Sequence, residues 1–222
     1  MAFHFEKLGG FKFKPGQAVD LILPDPENPD AELGRHAFSL VSAPYQNQLV
    51  IATRMRNSAY KLALGSLPLG AKAKLEGPFG SLTLHGDAAR PAVFIAGGIG
   101  ITPFMSILPQ SAKDTYARDL SLIYANRKPE DAAFLDELKQ IAKANERFRL
   151  IATITKKGES GLLWDGRTGP INSALIAGVV EGKPAPVYYV VGPPGMVQAV
   201  NTALNNIWVS DDDIRSEGFY GY

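Results

Sequence analysis

The sequence predicts a β plus α/β fold in two parts: a small antiparallel barrel over residues 1–88 and a parallel-sheet α/β domain over residues 89–222. Three observations predict it. Up to about residue 86, short strand patterns alternate with turn residues, as in small barrels. Beyond Pro91, apolar strand patterns alternate with helical runs, as in α/β units. Two of those strands, Ala92–Ala96 and Val187–Val191, each run into glycines and then a helix, which suggests neighbouring parallel strands whose loops open on one edge.

The bulk properties narrow the function classes. With 222 residues, 45% apolar and 20% charged, the chain can bury one large or two modest cores. A formal charge of +1 argues against a nucleic-acid partner held by counterion release. No apolar run approaches the ~20 residues of a membrane span, and the first residues, Met-Ala-Phe-His-Phe-Glu-Lys, lack a signal-peptide core, so a cytoplasmic protein is expected. With no cysteine, disulfides, thiolate metal sites, cysteine-ligated Fe–S clusters and a catalytic thiol are excluded from these residues. His4, His36 and His85 are scattered, so no metal site is expected.

In the first half, Ala2–Glu6 alternates and Gly9-Gly10 turns. Strands follow at Ala18–Leu23, His36–Val41, Gln48–Met55 and Ala71–Glu76, with a polar, proline-bearing loop from Pro24 to Gly34 and a single helix over Ser58–Gly65. Gly86–Pro91 reads as a linker. In the second half, strand Ala92–Ala96 meets Gly97, Gly98 and Gly100; Thr102 offers a helix N-cap and Pro103 suits the first position of a helix through Phe104–Leu108. Strands Leu120–Tyr124 and Arg149–Thr153 flank a helix at Ala132–Asn145. Strand Val187–Val191 leads through Gly192-Pro-Pro-Gly-Met196 to a helix over Val197–Ile207. Glycines before a helix start let a pyrophosphate approach free N–H groups. The G-x-G-x-x-G fingerprint is absent, because Pro103 stands where its third glycine would fall. On the glycines alone, a pyrophosphate cradle and an ordinary tight turn are equally good readings.

Taken together, Gly97-Gly98-Ile-Gly100-Ile-Thr102-Pro103 and Gly192-Pro193-Pro-Gly-Met196 resemble the G-G-x-G-[IV]-[TA]-P and [C]-G-P-P-x-M loops of the ferredoxin–NADP⁺ reductase-like flavoproteins, with Val191 in place of the cysteine common there. The resemblance implies a flavin-binding barrel and a nicotinamide-dinucleotide domain, with FAD favoured over FMN and NADH or NADPH as reductant. In that light Arg35-His-Ala-Phe38-Ser39 resembles the R-x-[YF]-[ST] flavin motif. Arg35 would hold a phosphate through its fork of donors, Phe38, three residues on, would lie beside the flavin ring, and Ser39 would bond its edge. Taken alone, these residues would read as an exposed arginine and a core phenylalanine. Thr53–Lys61 resembles the segment whose helix start, near Ser58, faces the flavin pyrophosphate, with Arg54 or Arg56 adding charge. Gly77-Pro-Phe-Gly80 resembles a barrel-closing turn and Trp164–Ile171 the family's W-x-G-x-x-G-x-[IV] stretch.

By the same resemblance Asn126 and Arg127 face the adenosine ribose, where an arginine can hold a 2′-phosphate or stack on adenine. NADP-specific members add a serine and an arginine after the following strand; Thr153-Ile-Thr-Lys156-Lys157 lacks them, which leans toward NADH without deciding it. The terminal Glu217-Gly-Phe219-Tyr-Gly-Tyr222 resembles a tail whose aromatic ring covers the flavin and must move for the nicotinamide to enter. Hydride transfer takes place at the flavin and needs no protein acid or base, so no catalytic residue is assigned; Ser39, Glu217 and Tyr222 are candidates. Relatives usually begin with a further strand and lead-in, so about 15 residues are expected to be missing before Ala2, either by a shortened start or because another chain completes the edge. The implied activity is electron transfer from NAD(P)H through flavin to an acceptor, a ferredoxin-like or other redox protein among them. The alternatives are an electron-transfer subunit of a larger complex and a non-catalytic nucleotide-binding regulator.

Overall fold

A computed structural model describes residues 1–25, 32–115 and 117–220. By contacts these fall into two units: Met1–Thr83 with Thr102–Gln110, and Leu84–Ile101 with the residues from Ser111 onward. Among the described residues no helix is long and apolar enough to cross a membrane.

The first unit holds two antiparallel sheets. β1 (Ala2–Glu6) pairs with β4 (Gln48–Ala52). β2 (Ala18–Pro24) lies between β3 (Glu32–Ser39) and β5 (Lys74–Phe79). A bridge from Leu40 to Ile51 joins the end of β3 to β4, and both sheets contribute to one core. The alternation of β2 explains this: Val19, Leu21 and Leu23 are buried in that core, whereas Asp20 is partly exposed and pairs with Glu76. Ladder pairing also sets the ends of β5, which starts at Lys74 opposite Ile22 rather than at Ala71, since Ala71 N–H is held in a turn by the Pro68 carbonyl. The helix α1 (Ala59–Ser66) is capped by Ser58, whose hydroxyl accepts the Lys61 N–H at 3.3 Å. Its Tyr60 and Leu64, one turn apart, enter the core. Tyr60 donates to the Leu21 carbonyl at 2.7 Å and lies against Gly34, where a Cβ would stand 3.2 Å from the ring.

The second unit is built on a parallel sheet in the order β11-β10-β6-β7-β8-β9, six strands among the described residues. The strands are β6 (Ala92–Gly97), β7 (Leu120–Asn126), β8 (Phe148–Ile154), β9 (Arg167–Thr168), β10 (Val187–Gly192) and β11 (Ile214–Gly218). β6 and β10 are buried at every position, which is why both read as unbroken apolar runs. Helices α4 (Ser173–Val180) and α5 (Pro194–Asn205) cover one face, packing Ile176, Val200 and Leu204 against Val93, Ile95 and Val190. A 3-10 turn at Gly98–Ile101 runs straight into α2 (Thr102–Lys113), which continues through Pro109. Thr102 therefore stands buried inside the helical run instead of capping it, because helical winding already starts at Gly98. α3 (Leu135–Ala144) begins three residues later than the pattern suggests, after a 3-10 turn at Pro129–Asp131 and a left-handed Phe134. The tryptophan stretch docks as β9, with Trp164 donating from Nε1 to the Arg167 carbonyl at 2.7 Å.

Where the linker enters this unit, His85 is buried. Its backbone N–H donates to the Tyr189 hydroxyl at 2.8 Å and its Nε2 donates to the Arg90 carbonyl at 3.1 Å. Nδ1, 2.9 Å from the same hydroxyl, is then the acceptor, so the ring is neutral and fully bonded. Burial, helped by Arg118, lowers its pKa from the ordinary 6.5.

Two predictions follow from these cores. Tyr60→Phe removes a buried hydrogen bond worth about 1 kcal/mol and should lower the thermal midpoint by about 2–4 °C; an unchanged midpoint would mean that the bond contributes nothing. For His85, the folded state binds its proton less tightly than the unfolded chain. Its contribution to stability is full above pH 6.5 and is lost as pH falls below that value toward the depressed folded pKa. Thermal midpoints of wild type and His85→Gln should diverge above pH 6.5 and converge below it; parallel profiles would remove His85 from the acid sensitivity.

Candidate functional site

At the carboxyl edge of the parallel sheet, β6 and β10 end side by side, with Val191 opposite Ala96. Their glycine loops touch backbone to backbone. A Cβ on Gly100 would lie 2.5 Å from the Val191 carbonyl oxygen, and one on Gly192 would lie 3.1 Å from Gly97 Cα. A Cβ on Gly97 would meet Met196 Sδ at 2.3 Å and Pro193 Cδ at 3.0 Å. Gly98 adopts φ +56°, open to glycine at little cost. Thus Gly97, Gly100, Gly192, Pro193 and Met196 form one interlocked body, with Gly98 in its turn. Pro193 precedes α5, Pro194 has no N–H, and the Met196 and Val197 N–H groups donate to the Pro193 carbonyl, so what the first turn of this twelve-residue helix turns toward an anion is the Gly195 N–H and the helix dipole.

The chain end joins the same edge. Glu217 pairs with Val191 and Gly218 with Gly192, and Phe219 N–H donates to the Gly192 carbonyl at 2.9 Å. What reads as a tail is therefore a sheet strand up to Gly218. Its polar, non-alternating sequence, Ile-Arg-Ser-Glu-Gly, suits a parallel edge and gave no strand signal. Glu217 is solvent-accessible, yet partial desolvation raises its carboxyl above the ordinary 4.5. Tyr222, and the idea that it gates the nicotinamide, lie outside the described residues.

Two strands along, β7 and β8 end beside each other. Thr155 N–H donates to the Asn126 carbonyl at 3.0 Å and Lys156 N–H to the Arg127 carbonyl at 2.8 Å. Asn126 is buried, and its Oδ1 has no hydrogen-bond partner among the described residues. Lys156 contacts Glu159 at 2.5 Å and Lys128 contacts it at 3.7 Å. Sequence reasoning passed over Glu159, because nothing in Lys-Lys-Gly-Glu marks that carboxylate as a partner for residues on the preceding loop.

In the first unit the expected flavin residues are only partly brought together. Arg35 and Phe38 are three apart on β3, so they project from opposite faces. Phe38 faces the core with Tyr60, 6.3 Å between ring centroids. Arg35 lies on the other side among carboxylates: Glu76 at 2.5 Å, Asp20 at 3.4 Å and Glu32 at 3.8 Å. Hydrogen bonds from Arg35 and Lys74 hold the Glu76 carboxyl down to about 2. The R-x-[YF]-[ST] spacing places its first residue two before the ring, and His36 occupies that position here, 4.1 Å from the Tyr60 ring. Strand parity was the signal that could have found His36. Ser39 is buried at the end of β3, opposite Ala18. Arg54 is half-buried and Arg56 exposed just before the Ser58 cap. Lys61, in the first turn of α1, was also missed. It donates to the Thr53 hydroxyl and lies 5.3 Å over the Phe38 ring, and burial, with Arg56 nearby, lowers its ammonium pKa.

The glycine interlock yields a paired prediction. Gly100→Ala forces a methyl against a carbonyl and should cost about 1–3 kcal/mol. Gly195→Ala, in α5 with no atom within 4 Å of its Cβ, should instead stabilise by roughly 0.5–1 kcal/mol. Urea unfolding of both variants checks this, and equal effects would contradict the interlock.

Residues 94–202 match the model of the oxidoreductase NAD-binding domain. Over 206 residues the chain is 33% identical to ferredoxin–NADP reductase B of Sorangium cellulosum, covering 88% of this chain and 81% of that protein. It is 28% identical to the reductase component of propane 2-monooxygenase from Mycolicibacterium smegmatis, covering 95% of this chain but only 60% of that protein. The fold matches a crystal structure of a ferredoxin NADP⁺ reductase from Neisseria gonorrhoeae with a TM-score of 0.81 at 20% identity, covering 98% of this chain and 91% of that one. The barrel sheets, the parallel sheet with its interlocked loops and the extent of this similarity together have one conclusion: the chain belongs to the ferredoxin–NADP⁺ reductase-like family of flavin oxidoreductases.

Proposed function

We propose that this chain carries electrons from a reduced nicotinamide dinucleotide, through FAD, to a redox-protein acceptor. The observation that carries the reading is the pair of interlocked glycine loops beside an α5 start with no side-chain cap, at the carboxyl edge of a parallel sheet. That edge offers the Gly195 N–H and a helix dipole to a pyrophosphate, with Asn126 and Arg127 for the adenosine ribose. Gly97, Gly98, Gly100, Gly192, Pro193 and Met196 are given the role of shaping this surface, and Thr102 and Pro103 that of continuing its first turn into α2.

For FAD, the residues present in the first unit fit the group. The Ser58-capped start of α1 with Arg54, Arg56 and Lys61 concentrates positive charge suited to a diphosphate, and Phe38 and Ser39 supply an apolar flank and a hydroxyl at the end of β3. Arg35 is left out of this set, because three carboxylates already neutralise it. Bound flavin supplies hydride acceptance and onward delivery of electrons; the chain supplies binding, orientation and exclusion of water. A purely regulatory role gives way to the enzymatic one, since the family is one of reductases.

The acceptor reading draws on the relatives' names: one is a ferredoxin–NADP reductase and another a reductase component of an oxygenase. With no cysteine in these 222 residues to ligate a cluster, the acceptor would take electrons from the flavin directly. Anaerobic addition of NADH or NADPH to the FAD-reconstituted protein should bleach the flavin absorbance. Absence of bleaching with either nucleotide would overturn the proposal. Arg54→Ala/Arg56→Ala removes charge-assisted contacts worth about 1.5–3 kcal/mol each, so FAD affinity should fall by about a hundredfold or more. Arg35→Ala should change it by less than about twofold, since its own carboxylates already hold it. Fluorescence titration of FAD reads both, and the reverse order would restore Arg35 to the site.

A further inference from the structure

We infer that Glu159 makes the nucleotide site selective for NADH, by occupying the cations that would otherwise receive a ribose 2′-phosphate. The inference rests on the dinucleotide reading above. In parallel sheets that bind a dinucleotide, the residues past the strand next to the pyrophosphate loop face the adenosine ribose, where a carboxylate suits a free 2′-hydroxyl and an arginine a 2′-phosphate. Here that strand is β7, which pairs with β6 as far as Ala125 opposite Gly97. It is followed by Asn126, Arg127 and Lys128, and the turn after β8 runs alongside, bringing Lys156, Lys157 and Glu159.

Two of these cations, Lys156 and Lys128, are engaged. Glu159 accepts from Lys156 through one oxygen at 2.5 Å and faces Lys128 through the other at 3.7 Å. The Lys156 hydrogen bond, reinforced by the charges of Lys156, Lys128 and Arg127, holds its carboxyl below the ordinary 4.5, so it is ionised at neutral pH. The carboxylate is also tied in place. Glu159 N–H donates to the Lys156 carbonyl at 3.1 Å, Ser160 N–H to the Lys157 carbonyl at 3.3 Å, and Ser160 Oγ to Glu130 Oε2 at 2.7 Å, joining this turn to the loop after β7. A 2′-phosphate reaching Lys156 and Lys128 would meet Glu159 as a like charge, with Glu130 close behind. A free 2′-hydroxyl meets no such repulsion.

Dissociation constants for ADP and 2′,5′-ADP, measured by calorimetry on the FAD-loaded protein, test this without turnover. Wild type should bind ADP at least as tightly as 2′,5′-ADP. Glu159→Gln should shift the ratio at least tenfold toward 2′,5′-ADP, and Glu159→Gln/Lys156→Ala should lose most of that gain, because the freed lysine makes the new contact. A wild-type preference for 2′,5′-ADP, an unmoved ratio in Glu159→Gln, or a gain that survives loss of Lys156 would each overturn the inference while leaving the dinucleotide site standing. Failure of both nucleotides to bind would overturn the dinucleotide reading as well.

Discussion

The close approach of two loops at the ends of β6 and β10 is the constraint on which the second unit depends. Parallel neighbours that end at the same level normally separate, because side chains on their loops need room. Here the 2.5 Å between a hypothetical Gly100 Cβ and the Val191 oxygen leaves room for none. The strands can therefore stay in register to their last residues, Met196 can fold its thioether over Gly97, and α5 can start directly beside the first loop. Phe219, bonded to the Gly192 carbonyl, extends the arrangement to the chain end. The glycines serve packing first. Of the two readings left open by the sequence, the tight turn is what the packing shows, and the proposed anion site builds on it.

Elements that bury both faces were legible in the sequence, and elements defined by pairing were not. β6 and β10 carry apolar side chains at every position and stand out against any background. β11 and β9 exist because a neighbouring ladder accepts them: Ile-Arg-Ser-Glu-Gly and Arg-Thr have no period or composition that marks a strand. α4 was missed for the opposite reason, since Ser-Ala-Leu-Ile-Ala-Gly-Val-Val is too uniformly apolar to show a helical stripe. Thr102 and Pro103 looked like a helix start because local chemistry favours one there, yet the 3-10 turn from Gly98 begins the winding earlier.

The site was legible where backbone conformation decides it and obscure where side-chain partnership decides it. Glycine motifs report conformation, and their residues converge as the resemblance implies. Charged residues report only a capacity. Arg35 has the right chemistry for a phosphate, but an odd spacing from Phe38 on a strand turns it to the other face, where Glu76, Asp20 and Glu32 meet it. Arg54, Arg56 and Lys61 lie near the Ser58 cap, and Lys61 is drawn in only by the turn that α1 makes after Thr53.

Charge pairing thus ties several cations of this nearly neutral chain, Arg35, Lys128 and Lys156 among them, to its own carboxylates. A net charge of +1 hides this, because it averages over 23 basic and 22 acidic residues whose placement differs from loop to loop. Exposed pairs such as these contribute little to folding, so their consequence lies in recognition. An internal carboxylate that holds a lysine competes with an incoming phosphate for the same donors, and it does so at every encounter. On β3 strand parity puts an arginine on the face away from Phe38 and carboxylates hold it there; past β8 such pairing bears on whether Lys156 and Lys128 can answer a second charge on the ribose. Selectivity at such a surface is governed less by how many cations the loops carry than by how many remain unclaimed when the ligand arrives.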